Sequence, residues 1–177
     1  MLLTYGHGTI STERTVATLH AAAVSSIVDI RIAPGSRRNP QFARAELERW
    51  LHEAGIGYRW EKRLGGFRKP GPDNPDVAWR EEMFRGYAEY MRSAEFGSAI
   101  GAVLEEADSR QVAVMCSESL WWRCHRRLVA DFAVVARGVP VRHLIHDGRA
   151  EEHRLSPGVR LRDDGLLVYD AGQDTLL

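Results

Sequence analysis

The chain has 177 residues, of which 44% are hydrophobic, enough for one domain with a substantial core. Its 24 basic and 24 acidic residues cancel, which excludes a whole-molecule field of the kind that drives non-specific binding to nucleic acid or an anionic membrane. The apolar run in MLLTYGHG is too short for a signal peptide, and no stretch approaches the ~18 apolar residues of a membrane span. A cytoplasmic protein with no membrane partner is therefore expected.

LLTYG (2–6) reads as a short buried strand ended by Gly6. Ser11 or Thr12 can cap a helix whose apolar positions Val16, Leu19 and Ala23 recur at helical spacing. SSIVDIR (25–31) is β-branched and short, a second strand, and IAPGSRRNPQF is a loop punctuated by Pro34, Gly35 and Pro40. ARAELERWLHEAG (43–55) is an amphipathic helix with Leu47, Trp50, Leu51 and Ala54 on one side and Gly55 as its stop. IGYRW (56–60) is a third strand. The segment 65–76, with three Pro and three Gly, is the most loop-like in the chain.

The spacing of Met83, Tyr87, Tyr90 and Met91 predicts a helix over 77–93, its stripe facing a core. Ser93 caps a second helix, 94–107, with Phe96, Ile100, Val103 and Leu104 inward. QVAVM (111–115) is a compact buried strand, HRRLVADFAVVARG a helix stopped by Gly138, and VPVRHLI (139–145) another strand. The tail after Pro157 is the part that sequence pattern ties least to the core. Strands alternating with helices imply mostly parallel pairing through crossover connections. The reading is a single three-layer α/β domain over 1–177, with a mostly parallel sheet and helices on both faces.

In such a sheet, ligands sit beyond the carboxyl ends of the strands, and the unusual residues cluster at those ends in sequence. His7 follows the first strand; Asp29 and Arg31 close the second; Leu64-Gly65-Gly66 lies just past the third. Cys116 and Glu118 follow the fourth, and Cys124-His125-Arg126 opens the next helix. Two cysteines cannot form a disulfide framework, and in an intracellular chain a pair serves catalysis, metal or redox chemistry more often than structure. Cys116 precedes a helix N-terminus and neighbouring cations, features that lower a thiol pKa; the alternative is a small apolar residue ending a buried strand.

Cys124-His125 has three readings. With Cys116, and His7 or Glu118, the pair can ligate a metal, although zinc sites favour Cys-x2–4-Cys spacing and adjacent residues diverge on a helix. The two thiols can form a reversible disulfide. In the preferred reading no metal or other cofactor is required: His125 is an acid/base or orienting group beside Arg126, and Cys124 packs. Glu118 is either a general acid/base or a loop carboxylate paired with Arg123 or Arg126. The basic residues comprise 22 Arg against Lys62 and Lys69, a skew that genomic base composition also produces; Arg31, Arg37, Arg38 and Arg126 would form an anion-binding rim. His7, between two glycines in GHGT, either binds a ligand or is a hydrogen-bonded structural residue. Trp121 and Trp122 cannot both face the core, and one can wall a pocket or stack on a nucleobase.

The stretches TYGHGT, VDIRIAPGSRRNPQF, AGIGYRWEKRLGG, FRGYAEYM and VAVMCSESLWWRCHRRLVADF together resemble the successive motifs of the domain of unknown function 488 (DUF488) family, over about residues 4–146, leaving 147–177 as an extension. The resemblance implies a compact α/β domain with family-wide polar positions at His7, Asp29, Arg31, Cys116, Glu118, Cys124, His125 and Arg126, and it brings no activity with it. The Trp-Trp pair between Glu118 and Cys124 departs from the family pattern. A weaker similarity in layout is to rhodanese-like sulfurtransferases, whose early Asp-x-Arg strand resembles IVDIR and whose Cys loop resembles VAVMCS; here the loop after Cys116 is longer. The expected function is an enzyme acting on an anionic, phosphate-bearing small molecule or nucleic acid, with Cys116, Glu118 and His125 at the reacting centre and His7, Asp29, Arg31, Arg37, Arg38 and Arg126 holding substrate. The alternatives are a sulfurtransferase with a Cys116 persulfide and a non-catalytic nucleic-acid-binding module.

Overall fold

The structure is a computed structural model that describes residues 1–35 and 38–170. Four strands, β1 (Leu2–Gly6), β2 (Ser26–Asp29), β3 (Gly57–Trp60) and β4 (Val112–Cys116), together with β5 (Val141–Leu144), run parallel, and β6 (Ala150–Glu152) closes the sheet antiparallel to β5. The order across the sheet is β3-β2-β4-β1-β5-β6. The expected three-layer α/β architecture is thus what the chain adopts.

Alternation along the strands builds two cores. Leu3, Tyr5, Ile27, Ala113 and Met115 point to one face and meet α1 (Thr12–Ala21) and α2 (Arg44–Glu53) through Leu19, Leu47 and Leu51. Leu2, Val28, Val112 and Val114 point to the other, where α3 (Glu82–Tyr90), α4 (Ala94–Ser109) and α5 (Arg126–Arg137) pack. The helix limits follow the chemistry read from sequence. Ser11 accepts from the Arg14 N–H and Ser93 from the Phe96 N–H, while Gly138, at φ 64°, ends α5 in the left-handed conformation.

Two readings need correction. The helix expected over 77–93 begins only at Glu82, because the residues before it are tied elsewhere: Asp76 is buried against the Arg92 guanidinium at 2.9 Å, and the Ala78 N–H donates to the Tyr169 carbonyl at 2.8 Å. As far as residue 170, the tail after Pro157 is firmly tied to the core. It forms a hairpin, β7 (Val159–Leu161) with β8 (Leu167–Tyr169), that buries Leu167, Val168 and Tyr169, and the Tyr169 ring lies against Trp79. The three-residue strand β6 also carries too little pattern (Ala-Glu-Glu) to be read from sequence. No helix among the described residues is long and apolar enough to cross a membrane.

Candidate functional site

Neighbouring strands β1 and β4 send their chains to opposite faces, β1 through α1 to one core and β4 through α5 to the other. The two loops part above the sheet and leave a crevice at the topological switch point, where α/β folds bind ligands. The loops are stitched together at its base: the His7 N–H donates to the Cys116 carbonyl at 3.0 Å and the Gly8 N–H to the Ser117 carbonyl at 2.9 Å. A pocket of about 580 Å³ opens there, reached by His7, Arg31, Cys116, Glu118, Arg123 and His125, among others. Residues separated by more than a hundred positions meet because their strands are parallel neighbours.

The floor is made of Cys116, Cys124 and His125, all buried. Their sulfur and ring-nitrogen atoms lie within 4.8 Å of one another, and both thiols are free. Nearby cations act on the thiol that the sequence singled out, but they are outweighed. A hydrogen bond with the Cys124 sulfur, and then burial, raise the Cys116 pKa, so Cys116 keeps its proton. Burial also works against a Cys124 thiolate, yet the Cys116 thiol, the Arg126 guanidinium and the Arg126 backbone N–H outweigh it, making Cys124 the more acidic of the two. Burial, the largest influence, lowers the pKa of His125. Its Nε2 makes no hydrogen bond of full length and angle, and its Nδ1 lies 3.6 Å from the Cys124 sulfur.

One wall is a rigid buried assembly. Asp29 accepts from Arg31 Nη2 at 2.6 Å and from the Tyr58 hydroxyl at 2.9 Å, and Arg31 also donates to the Phe42 carbonyl at 2.9 Å. Arg31 Nη1 reaches His7 Nε2 at 3.3 Å while His7 Nδ1 faces the Gly8 carbonyl at 2.9 Å. Arg31 can only donate, so the proton of His7 sits on Nδ1. The ring is stacked on Phe42 at 4.0 Å, and burial, with the Arg31 charge adding, pulls its pKa down to about 4. Asp29 stands behind this wall and orients Arg31.

Arg31, Arg38 and Arg126 do not form the rim expected of them. Arg126 is buried behind the pocket, donating to Thr4 Oγ1 at 3.2 Å and to the Glu118 carbonyl. Arg31 is committed to Asp29, Arg38 is exposed and outside the pocket lining, and Arg37 lies outside the described residues. The cation at the pocket mouth is Arg123, exposed and without a protein partner among the described residues. The Glu118 carboxylate accepts from the Leu120 N–H at 3.0 Å, bracing its own loop at the pocket edge. Trp121 lies away from the pocket, stacked on buried His143 at 4.1 Å, and Trp122 is largely exposed.

Sequence reasoning brought Leu64-Gly65-Gly66 to this edge but missed what the loop opposite does there. Gly66 closes over the floor, where an added Cβ would sit 3.0 Å from His125 Nδ1. The next residue, Phe67, is 77% exposed and held at φ 61°, a conformation that costs an ordinary side chain energy. Tyr87 anchors this loop through its hydroxyl to the Leu64 carbonyl at 2.7 Å and touches His125 with its ring. Nothing in the sequence marks Phe67, since its strain appears only in the backbone.

The family model described as "Domain of unknown function DUF488" matches residues 11–133, more than half of the chain. No curated protein and no solved structure matches it.

Proposed function

The chain belongs to the DUF488 family, and we propose that it is a small cytoplasmic enzyme acting on an anionic, phosphate-bearing substrate, a nucleotide or nucleic acid. One juxtaposition carries this reading: Arg123 without a protein partner and exposed Phe67 share the mouth of a pocket floored by two thiols and an imidazole. A guanidinium free of carboxylates is suited to phosphate, which its planar fork grips through two N–H groups. An aromatic ring held outward offers its face to a base. The thiols and the imidazole supply nucleophilic and proton-transfer chemistry below them. The buried Asp29–Arg31–His7 assembly keeps one wall fixed, as positioning of a substrate requires. Two free thiols suit a reducing compartment.

Calorimetric titration with nucleoside monophosphates, inorganic phosphate and a short single strand tests this. Saturable binding that weakens about 10-fold in Arg123→Ala and falls with salt is expected. Absence of binding by all three probes, or an Arg123→Ala protein that binds like the wild type, would overturn it. A gain of one sulfur atom in mass on Cys116 after thiosulfate treatment would favour persulfide transfer instead.

A further inference from the structure

We propose that Cys116, Cys124 and His125 form a binding site for a thiophilic divalent cation, Zn²⁺ in the first instance, with its fourth coordination position open to the pocket. The donor set is two sulfurs and one imidazole nitrogen, all buried and within 4.8 Å of one another. Tetrahedral coordination with metal–sulfur bonds of about 2.3 Å and metal–nitrogen bonds of about 2.0 Å separates sulfur from nitrogen by about 3.6 Å and sulfur from sulfur by about 3.8 Å. Cys124 Sγ already lies 3.6 Å from His125 Nδ1, and no two of the three donor atoms are more than 4.8 Å apart.

Adjacent residues of one helix diverge, which is why the sequence speaks against this site. The backbone removes the objection. Cys124 is extended, at φ −120° and ψ 150°, whereas His125 is already helical, at φ −58° and ψ −16°, so the change of direction turns both side chains towards Cys116. The second observation is the imidazole itself. Its Nδ1 faces the Cys124 sulfur at 3.6 Å, and its Nε2 makes no hydrogen bond of full length and angle, so the nitrogen beside the thiols is placed to take a ligand. The Ile30 carbonyl beside the ring would take the proton of the nitrogen not on the metal, the usual support for a ligating histidine.

Charge is also balanced. Two thiolates neutralise a dication, and the donor set therefore needs no further anion. Three protein ligands with a vacancy facing a pocket are the pattern of catalytic rather than structural zinc. This purpose rests on the pocket being a reacting site, but ion binding does not, and it is measured without substrate.

Tag-free, fully reduced, metal-stripped protein would be titrated with Co²⁺ and then with Zn²⁺. Expected are one ion per chain, an intense thiolate-to-cobalt charge-transfer absorption, its loss when Zn²⁺ displaces the cobalt, and zinc protection of both thiols from alkylation. Cys116→Ser, Cys124→Ser and His125→Gln should each weaken binding by about 100-fold or more, with circular dichroism reporting the fold. Thiol protection in the wild type decides the matter if a variant misfolds. Absence of stoichiometric binding, a cobalt spectrum without thiolate absorption, or unprotected thiols would overturn the site. Nucleotide titration of the metal-free protein is independent, so either reading can fail alone.

Discussion

Arg126 and Asp131, at two points on α5, are the ends of one chain of hydrogen bonds that leaves the helix and returns to it. Arg126 donates to Thr4 Oγ1 at 3.2 Å; Thr4 pairs with His143 Nδ1 at 2.7 Å, His143 Nε2 with His153 Nδ1 at 3.0 Å, and His153 Nε2 with Asp131 Oδ1 at 3.0 Å. A guanidinium can only donate and a carboxylate only accept. With the Thr4 proton spent on His143, the chain runs one way: Thr4 donates to His143, which donates to His153, which donates to Asp131.

The acceptor end should be the stronger point of failure. Asp131 also accepts from the Ser156 N–H at 2.9 Å and the Tyr169 hydroxyl at 3.0 Å, so it fastens the tail to α5. Asp131→Ala strands three buried donors and is expected to cost about 3 kcal/mol or more, against about 1 kcal/mol for Tyr169→Phe. Urea unfolding compares them; equal losses would show that Asp131 is not the fastening.

Stability should fall in mild acid through His143. Burial lowers its pKa to about 2, with His153 and Arg126 contributing; Thr4 and the Trp121 ring face it from the other elements. Above pH ~6.5 the ring is neutral folded or unfolded and contributes nothing. Below it the unfolded chain takes a proton that the folded one refuses, so stability declines by about 1.4 kcal/mol per pH unit until pH falls to about 2. Unfolding free energies from urea titrations at pH 7 and pH 5 should differ by about 2 kcal/mol more in the wild type than in His143→Gln. Parallel losses would place the acid sensitivity elsewhere.

Two glycines should respond in opposite directions to alanine. A Cβ at Gly6 would overlap the Glu118 carbonyl and the Arg126 guanidinium, so Gly6→Ala should displace the loop between β4 and α5 at a cost of about 3 kcal/mol. At Gly101, exposed on α4, a Cβ meets nothing within 4 Å, and Gly101→Ala should stabilise by about 0.5–1 kcal/mol. Thermal unfolding of the pair gives the signs directly, and a tolerated Gly6→Ala would mean that this loop moves freely.

Phe67 should separate stability from binding. Glycine removes the strain of φ 61° but also the exposed ring. Phe67→Gly is expected to unfold no more easily than the wild type, because relief of about 1 kcal/mol offsets the added freedom of the unfolded chain. It should bind a nucleoside monophosphate several-fold more weakly while inorganic phosphate is unaffected. Equal weakening for both would remove the ring as a base platform.

Periodicity made the sheet legible, and with it the edge where His7, Arg31, Cys116 and His125 meet, because parallel strands place their following residues together. What escaped depended on contacts between distant parts. Asp76 and Tyr169 shorten α3 from across the chain, and Arg126 turns inward because Thr4 and a carbonyl await it. The acidity passed from Cys116 to Cys124 for the same kind of reason: the Arg126 charge acts on both sulfurs, but hydrogen bonds from the Cys116 thiol and from the Arg126 N–H and guanidinium favour only the Cys124 thiolate.

The strand order also sets where this chain can be cut. β1 lies between β4 and β5, yet it precedes residue 11, where the family match begins; the match ends at residue 133, inside α5. A fragment trimmed to 11–133 would lose a strand from the middle of its sheet and leave one long side of β4 with open N–H and C=O groups. Such an edge recruits strands from other molecules. Expression work on these proteins should therefore take its boundaries from the hydrogen-bonded sheet, and insoluble material from a match-delimited clone says nothing against the fold.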